Sequence, residues 1–225
     1  MQIIKRLMII PTGEQIKPLL YGLRFFKEID AVILLHSKKT KKIALKIEKY
    51  LKKLEIVDNV FLLSCQPNNL TSIISSLNKK IEELKLSENC EILINLTGGT
   101  KIMSISSYIF SLLVGGKCFY IYKNENESME FQEVPTIKIP TIDKIKNSKI
   151  RLELLDIFDK QEIISIKDIT VLLGKKSSTI YYYIEEFWRE GIINKEGKKY
   201  KITEFGKLLK RILEYKLLNS KTKNY

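Results

Sequence analysis

Ile92-Leu-Ile-Asn-Leu-Thr-Gly-Gly-Thr-Lys-Ile-Met-Ser104 is the stretch that decides the fold of this chain. Its apolar run Ile92, Leu93, Ile94 and Leu96, broken only by Asn95, reads as a buried strand. Thr97-Gly98-Gly99-Thr100-Lys101 reads as a tight turn, and beyond it Ile102, Met103, Ile105, Tyr108, Ile109, Leu112 and Leu113 recur at helical spacing. A glycine turn between strand and helix belongs at the carboxyl end of a strand in a parallel sheet, where open α/β sheets leave a crevice for ligands. Gly98 and Gly99 let backbone N–H groups approach an anion with no Cβ in the way. The helix start adds N–H groups that have no intrahelical acceptor. Thr97, Thr100 and Lys101 contribute two hydroxyls and one mobile positive charge. The stretch therefore reads as a phosphate or nucleotide cradle; as a plain βα turn it would leave Lys101 merely solvated. It is neither G-x-G-x-x-G nor G-x-x-x-x-G-K-[ST], so no dinucleotide fold or nucleotide triphosphatase follows from it.

Upstream, the same alternation recurs. Ile3 to Pro11 is an apolar strand ending in Pro11-Thr12-Gly13-Glu14-Gln15, and Ile16, Leu19, Leu20, Leu23 and Phe26 mark an amphipathic helix after it. Thr12 and Gly13 thus occupy a first strand-to-helix crossing equivalent in position to Thr97-Gly98-Gly99. Ala31 to Leu35 is a second strand ending at His36, followed by a lysine-rich helix. Val60 to Ser64 is a third, with a helix from Asn69 to about Leu86. Downstream, Gly115-Gly116 ends the helix of the quoted stretch, Lys117 to Tyr122 resumes as strand, and Met129 to Val134 returns as an antiparallel edge. The order β-α-β-α-β-α-β-α-β-β predicts a mostly parallel α/β sheet with helices on both faces. Thr12, His36 and the segment from Thr97 to Lys101 would then share one rim.

Pro135-Thr-Ile-Lys-Ile-Pro140 brackets a short extended segment between two prolines and marks a boundary between residues 1–134 and 141–225. The second part reads as a winged helix-turn-helix domain. A first helix spans Asn147 to Phe158, Ser165 caps a second with Asp168 three positions on, and Gly174 stops it. Ser177 or Ser178 caps a third, with Ile180, Tyr183, Ile184, Phe187 and Trp188 as its inward positions. Ile192 to Ile202 folds back as a hairpin around Glu196-Gly197. In such a domain the third helix enters a major groove. Lys175, Lys176, Ser177, Ser178, Thr179, Tyr181 and Tyr182 at its start, with Lys195, Lys198, Lys199 and Lys201 on the wing, would form one phosphate-binding face for double-stranded DNA. The same domain also suits protein contact without DNA. A last helix from Glu204 to Leu218 carries an apolar stripe long enough to pack against a second subunit.

Bulk composition fits this division. The 225 residues carry a formal net charge of +13, with 20 basic against 14 acidic side chains up to Pro140 and 19 against 12 in the shorter remainder. The second part is the more basic per residue, which suits a phosphate-rich partner. At 44% hydrophobic and 29% charged residues, with no apolar run near the ~20 residues a membrane span needs, a cytoplasmic protein with no membrane contact is expected. Cys65, Cys90 and Cys118 are isolated and odd in number, the pattern of reduced core thiols rather than disulfides or a metal site. The single histidine, His36, excludes most zinc sites and Ser-His-Asp triads.

The two parts together resemble a CRISPR-associated Rossmann-fold (CARF) domain joined to a winged helix-turn-helix, the architecture of CRISPR-associated transcriptional regulators. Asn95-Leu-Thr-Gly-Gly-Thr-Lys101 is the most specific piece, being similar to the family motif at the end of the fourth strand. The resemblance implies a Rossmann-like sensing domain and a homodimer whose two crevices bind a cyclic oligoadenylate, most commonly cyclic tetra-adenylate, with no other cofactor and no metal. Carried onto this chain, Thr97, Gly98, Gly99, Thr100 and Lys101 would hold phosphate and ribose, and Asn95 of the same motif counts among the ligand-binding residues. Thr12, Gly13, Glu14 and Gln15 would line the base or ribose pocket, with His36 beside them. The function implied is a ligand-responsive, DNA-binding transcriptional regulator in antiviral defence. Two other readings stand beside it. In a metal-independent ring nuclease, Thr12, Thr97 and Lys101 would align a ribose 2′-hydroxyl for in-line attack, although no general base is evident. In a nonenzymatic nucleotide sensor, ligand would only drive dimerisation.

Overall fold

The strands of the first unit carry the hydrophobic runs anticipated for a sheet covered on both sides. In the computed structural model, which describes residues 3–26, 28–57, 59–136, 144–145, 147–161, 163–210 and 213, the chain divides into Met1–Lys138 and Ile139–Tyr225. The first unit holds strands β1 (Ile4–Pro11), β2 (Ala31–His36), β3 (Asn59–Ser64), β4 (Leu86–Asn95), β5 (Lys117–Lys123) and β6 (Met129–Val134). Between them lie helices α1 (Ile16–Tyr21), α2 (Lys41–Lys53), α3 (Leu70–Glu83) and α4 (Lys101–Val114). The sheet order is β3-β2-β1-β4-β5-β6, parallel throughout except for the antiparallel β5–β6 pair.

Every residue of β2 is buried, as continuous Val, Ile and Leu require in a doubly covered sheet. Met8, Ile10, Val32 and Leu34 meet Leu19, Ile47, Leu51 and Phe119 in one core under α1 and α2. The strand positions of opposite parity, Leu7, Ile9, Ile33 and Leu35, are equally buried and face α3 and α4, which pack on each other. At the β3 border of the sheet, the Lys80 ammonium of α3 lies 4.8 Å from the centre of the Phe61 ring. Among the described residues no helix is long and apolar enough to cross a membrane.

Two boundaries differ from the sequence reading. The helix expected over Ile16 to Phe26 is α-helical only to Tyr21 and tightens into a 3₁₀ turn over Gly22–Phe25. There Gly22 lies against the sheet so closely that a Cβ would meet Asn95 Nδ2 at 2.7 Å and Phe119 at 2.8 Å. β4 begins at Leu86, where the reading had a helix end. Its polar first half pairs with β1 across a bulge and is fastened by Glu91, which accepts from Arg6 Nε at 2.6 Å and from Lys117 Nζ at 2.7 Å.

The second unit contains α5 (Lys149–Lys160), β7 (Ile164–Ser165), α6 (Ile166–Leu173), α7 (Ser177–Arg189), β8 (Ile193–Glu196) and β9 (Lys199–Ile202), with a further helix over 204–210. β7, β9 and β8 form a three-stranded antiparallel sheet in that order. Ser165 caps α6 as expected, accepting from the Asp168 N–H at 3.3 Å, and Gly174 ends it in the left-handed region at φ 59°. The cap of α7 falls on Lys176, which makes no side-chain cap bond, and not on Ser177 or Ser178. Ile180, Ile184 and Phe187 are its buried residues. Trp188, read as an inward position, is exposed, and so are Val171 and Leu172 of α6. Of the proline-bracketed segment, residues 137–140 lie outside the described residues, as do residues 214–225 of the last helix and tail.

Candidate functional site

The sheet order changes direction at β1 and β4. The chain leaves β1 toward β2 and leaves β4 toward β5, so the two crossings diverge while their loops stay side by side, the arrangement that opens a crevice in α/β sheets. Here the loops are in contact. A Cβ on Gly13 would lie 2.9 Å from the Gly99 nitrogen, and one on Gly98 would lie 2.3 Å from the Pro11 carbonyl oxygen and 3.2 Å from the Gly13 nitrogen. Only glycine permits this approach. Gly99 also adopts φ 79°, which L side chains resist. The paired crossings read from sequence thus form one backbone platform.

Side chains around the platform divide into those that build it and those left over. Asn95 is fully buried; its amide nitrogen donates to the Leu19 carbonyl at 3.4 Å and its oxygen accepts from the Thr97 N–H at 3.0 Å. It ties α1 to the turn and offers nothing to a ligand, contrary to its expected place among the contacts. Thr12 is also fully buried, with its hydroxyl 3.4 Å from the Ile10 carbonyl. Its N–H donates to Leu35 O at 2.7 Å. His36 is buried, with Nδ1 3.0 Å from the Ser37 carbonyl. These three expected ligand residues are wall, because the strand ends that carry them lie inside the packed layers.

The turn after β4 is different. Thr97 is half-buried and its Oγ1 accepts from the Ile121 N–H of β5 at 2.8 Å, which leaves the hydroxyl proton to donate. Thr100 caps α4: its hydroxyl accepts from Met103 N–H at 3.2 Å and donates to Pro67 O at 2.9 Å. Ser104 Oγ holds the Gly98 carbonyl at 2.9 Å. With the Ser104 N–H on Thr100 O, the first-turn N–H groups of Lys101 and Ile102 have no acceptor among the described residues. Lys101 itself is exposed, and no carboxylate among the described residues pairs with it. No acidic residue stands in this first turn. The result is a concentration of positive partial and full charge at one helix start, where an anion is the natural counterpart.

Glu14 and Gln15 are exposed at the rim. Lys39, from the loop after β2, reaches Glu14 at 2.9 Å, and that hydrogen bond holds the Glu14 carboxyl below its ordinary range. The Pro67 and Leu19 carbonyls and the Ser104 hydroxyl escaped the sequence reading. Only Ser104 carried a signal there, sitting one turn into the helix behind the glycines. Among the described residues no group of three or more His, Cys, Asp or Glu side chains could hold a metal ion.

In the second unit Lys175, Lys176, Ser177, Ser178, Thr179, Tyr181 and Tyr182 are all exposed along the start of α7. The β8–β9 hairpin does not present its lysines together. Register pairs Lys195 with Tyr200 and Glu196 with Lys199, so strand alternation puts Lys195 on the face of Ile193 and Ile202, and Lys199 and Lys201 on the other. Lys198 sits in the turn. Lys199 faces Glu196 in register and also helps to depress the Asp168 carboxyl, after the larger effect of the Ser165 hydrogen bond.

Comparison with known proteins gives two family matches. The model of the Card1 CARF domain matches residues 14–153, and that of the N-terminal domain of the methanogenesis regulatory protein FilR1 matches residues 140–220. No curated protein matches in sequence. Among solved structures, protein VC1899 from Vibrio cholerae is 14% identical over 97% of this chain and 68% of its own, with a TM-score of 0.45. Can2 from Sulfobacillus thermosulfidooxidans, in complex with cyclic tetra-adenylate, is 13% identical over 98% and 69%, with a TM-score of 0.42. Csm6 from Enterococcus italicus, bound to cyclic hexa-2′-fluoro-hexa-dAMP, is 12% identical over 67% and 48%, with a TM-score of 0.46.

Proposed function

Because the chain belongs to the Card1 CARF domain family, we propose that its first unit senses a cyclic oligoadenylate, taken to be cyclic tetra-adenylate, and that its second unit binds double-stranded DNA as a transcriptional regulator in CRISPR-associated defence. The observation that carries the sensing half is the junction of the two glycine crossings. There the N–H groups of Lys101 and Ile102, which have no acceptor among the described residues, the Thr97 hydroxyl and the exposed Lys101 ammonium stand at the edge of the glycine platform. Phosphates of an adenylate ring match such a site in charge. A twofold homodimer would offer two such junctions to one symmetric ring, and exposed Ile105 on α4 is an apolar position suited to a partner. Support for the DNA half is the basic, hydroxyl-rich start of α7 and the similarity of residues 140–220 to the FilR1 amino-terminal domain.

Ligand can alter DNA affinity only by favouring one of two arrangements of the dimer. Titration of cyclic tetra-adenylate should give saturable binding that Lys101→Ala weakens by roughly tenfold or more, as expected when a charge-assisted hydrogen bond is removed. Equal affinity in the variant sinks the cradle. A DNA-binding titration with and without the ring then tests the coupling, and identical curves would count against regulation. Ring cleavage is the weaker reading because Thr12 is sealed in the wall, so the three groups it requires do not all reach the rim. Incubation with the ring and analysis for linear products tests it directly.

A further inference from the structure

Away from the β1/β4 junction, a groove of about 920 Å³ opens among α1, the end of α2 and the β5–β6 turn. Ile16 and Leu20 give it apolar lining, Tyr21 and Tyr50 add aromatic rings, and Lys17 and Arg24 bring two cations. Lys17, Tyr21 and Arg24 are spaced four and three residues apart, one side of a continuous helical segment. The Arg24 guanidinium lies 5.5 Å from the centre of the Tyr21 ring. Among the described residues neither Lys17 nor Arg24 has a carboxylate partner, and the one acid of the lining, Glu127, faces Lys123 at 3.8 Å. Tyr50 is 47% exposed although its neighbours Ile47 and Leu51 on α2 are fully buried.

We propose that this groove is a second ligand site, for a small planar anion of the nucleoside monophosphate class. Its size falls in the range of small-molecule sites. Tyrosine faces accept a flat heterocycle, unpaired cations accept a phosphate, and an arginine already resting on an aromatic ring is held in place for it. A second copy of the chain fits poorly. A second copy, itself at net charge +13, would on balance set like charge against two cations that lose their water on contact. The proposal does not depend on ring binding at the junction, since none of the junction's glycines nor Lys101 lines this groove.

The test is titration of the full chain with AMP, adenosine and inorganic phosphate, followed by calorimetry or by chemical shifts. AMP should saturate the protein and bind more tightly than adenosine or phosphate alone. Arg24→Ala and Tyr50→Ala should each weaken it about tenfold, while Lys101→Ala leaves it unchanged. Both altered side chains are exposed, and thermal melting checks that the variants remain folded. AMP binding that is abolished in Lys101→Ala and kept in Arg24→Ala would assign the nucleotide to the junction and overturn the proposal. So would absence of saturation at millimolar AMP, or a change of dimerisation in Tyr50→Ala by sedimentation with no effect on AMP.

Discussion

Gly98 is constrained by close packing, and Gly99 by close packing together with its backbone conformation. At Gly98 the obstacle is the Pro11 carbonyl, so Gly98→Ala forces the two loops apart and should cost about 1–3 kcal/mol, as overpacking does. At Gly99 the positive φ of 79° is joined by crowding, since a Cβ would lie 2.9 Å from the Pro11 Cβ and 3.1 Å from the Met103 Cβ, and Gly99→Ala should cost at least about 1–2 kcal/mol. Denaturant unfolding measures both; a neutral Gly98→Ala would mean that the loops do not abut. Thr100→Ala should lose about 1 kcal/mol through its cap, whereas Lys101→Ala should leave stability within about 0.5 kcal/mol and act on ligand alone. Burial raises the thiols of Cys65, Cys90 and Cys118 to about 11, so at pH 8 roughly one in a thousand is thiolate. All three should react slowly with a thiol reagent until the protein is unfolded, and rapid labelling of the native chain would contradict this. The glycines, Thr100 and Lys101 were visible in the sequence because a tight turn demands particular residue types. The burial of Asn95, Thr12 and His36 was not, because a polar residue at a strand end looks the same whether it points to solvent or to a carbonyl of the next layer.

At the scale of elements, β4 illustrates what periodicity cannot reach. Its second half is an apolar run and was legible as strand; its first half, Leu86 to Glu91, pairs with β1 and is held there by Arg6 and Lys117 on either side of Glu91. The hydrogen bond from Lys117, then that from Arg6, depresses the Glu91 carboxyl pKa. A depressed carboxylate stabilises the fold above its unfolded-state pKa and loses that contribution as pH falls through the folded-state value. Glu91→Gln should therefore cost about 0.5–1 kcal/mol at pH 7, with the gap from the parent chain closing on acidification below the ordinary carboxylate range. A gap independent of pH would assign the loss to packing instead. The helices of the second unit were legible by the Gly174 stop and by the Ser165 cap. Their inward faces were less so: Trp188, Val171 and Leu172 are apolar yet exposed, and a stripe of apolar residues does not say how wide a face the neighbours cover.

Across the whole molecule, strand order was a property that no local pattern contained, and it is what brings residues 11–15 and 95–101 together. The proposed DNA face is electrostatic, so its affinity should fall steeply with salt. Neutralising Lys175 and Lys176 together should lower the salt slope by roughly one for each phosphate that is no longer neutralised. An unchanged slope would remove that helix start from the interface.

The sheet's two outer borders are not equally guarded. β6 ends the sheet with Glu130 and Glu133 along an antiparallel strand, and charges there discourage a foreign strand. β3 ends it with Asn59-Val-Phe-Leu-Leu-Ser64, an open ladder whose aromatic ring is shielded by the ammonium of Lys80. A chain heated toward unfolding should accordingly aggregate first along that ladder, and Lys80→Ala should lower the temperature at which light scattering begins. The cation that looks like surface decoration would then be a gatekeeper against fibrous self-association.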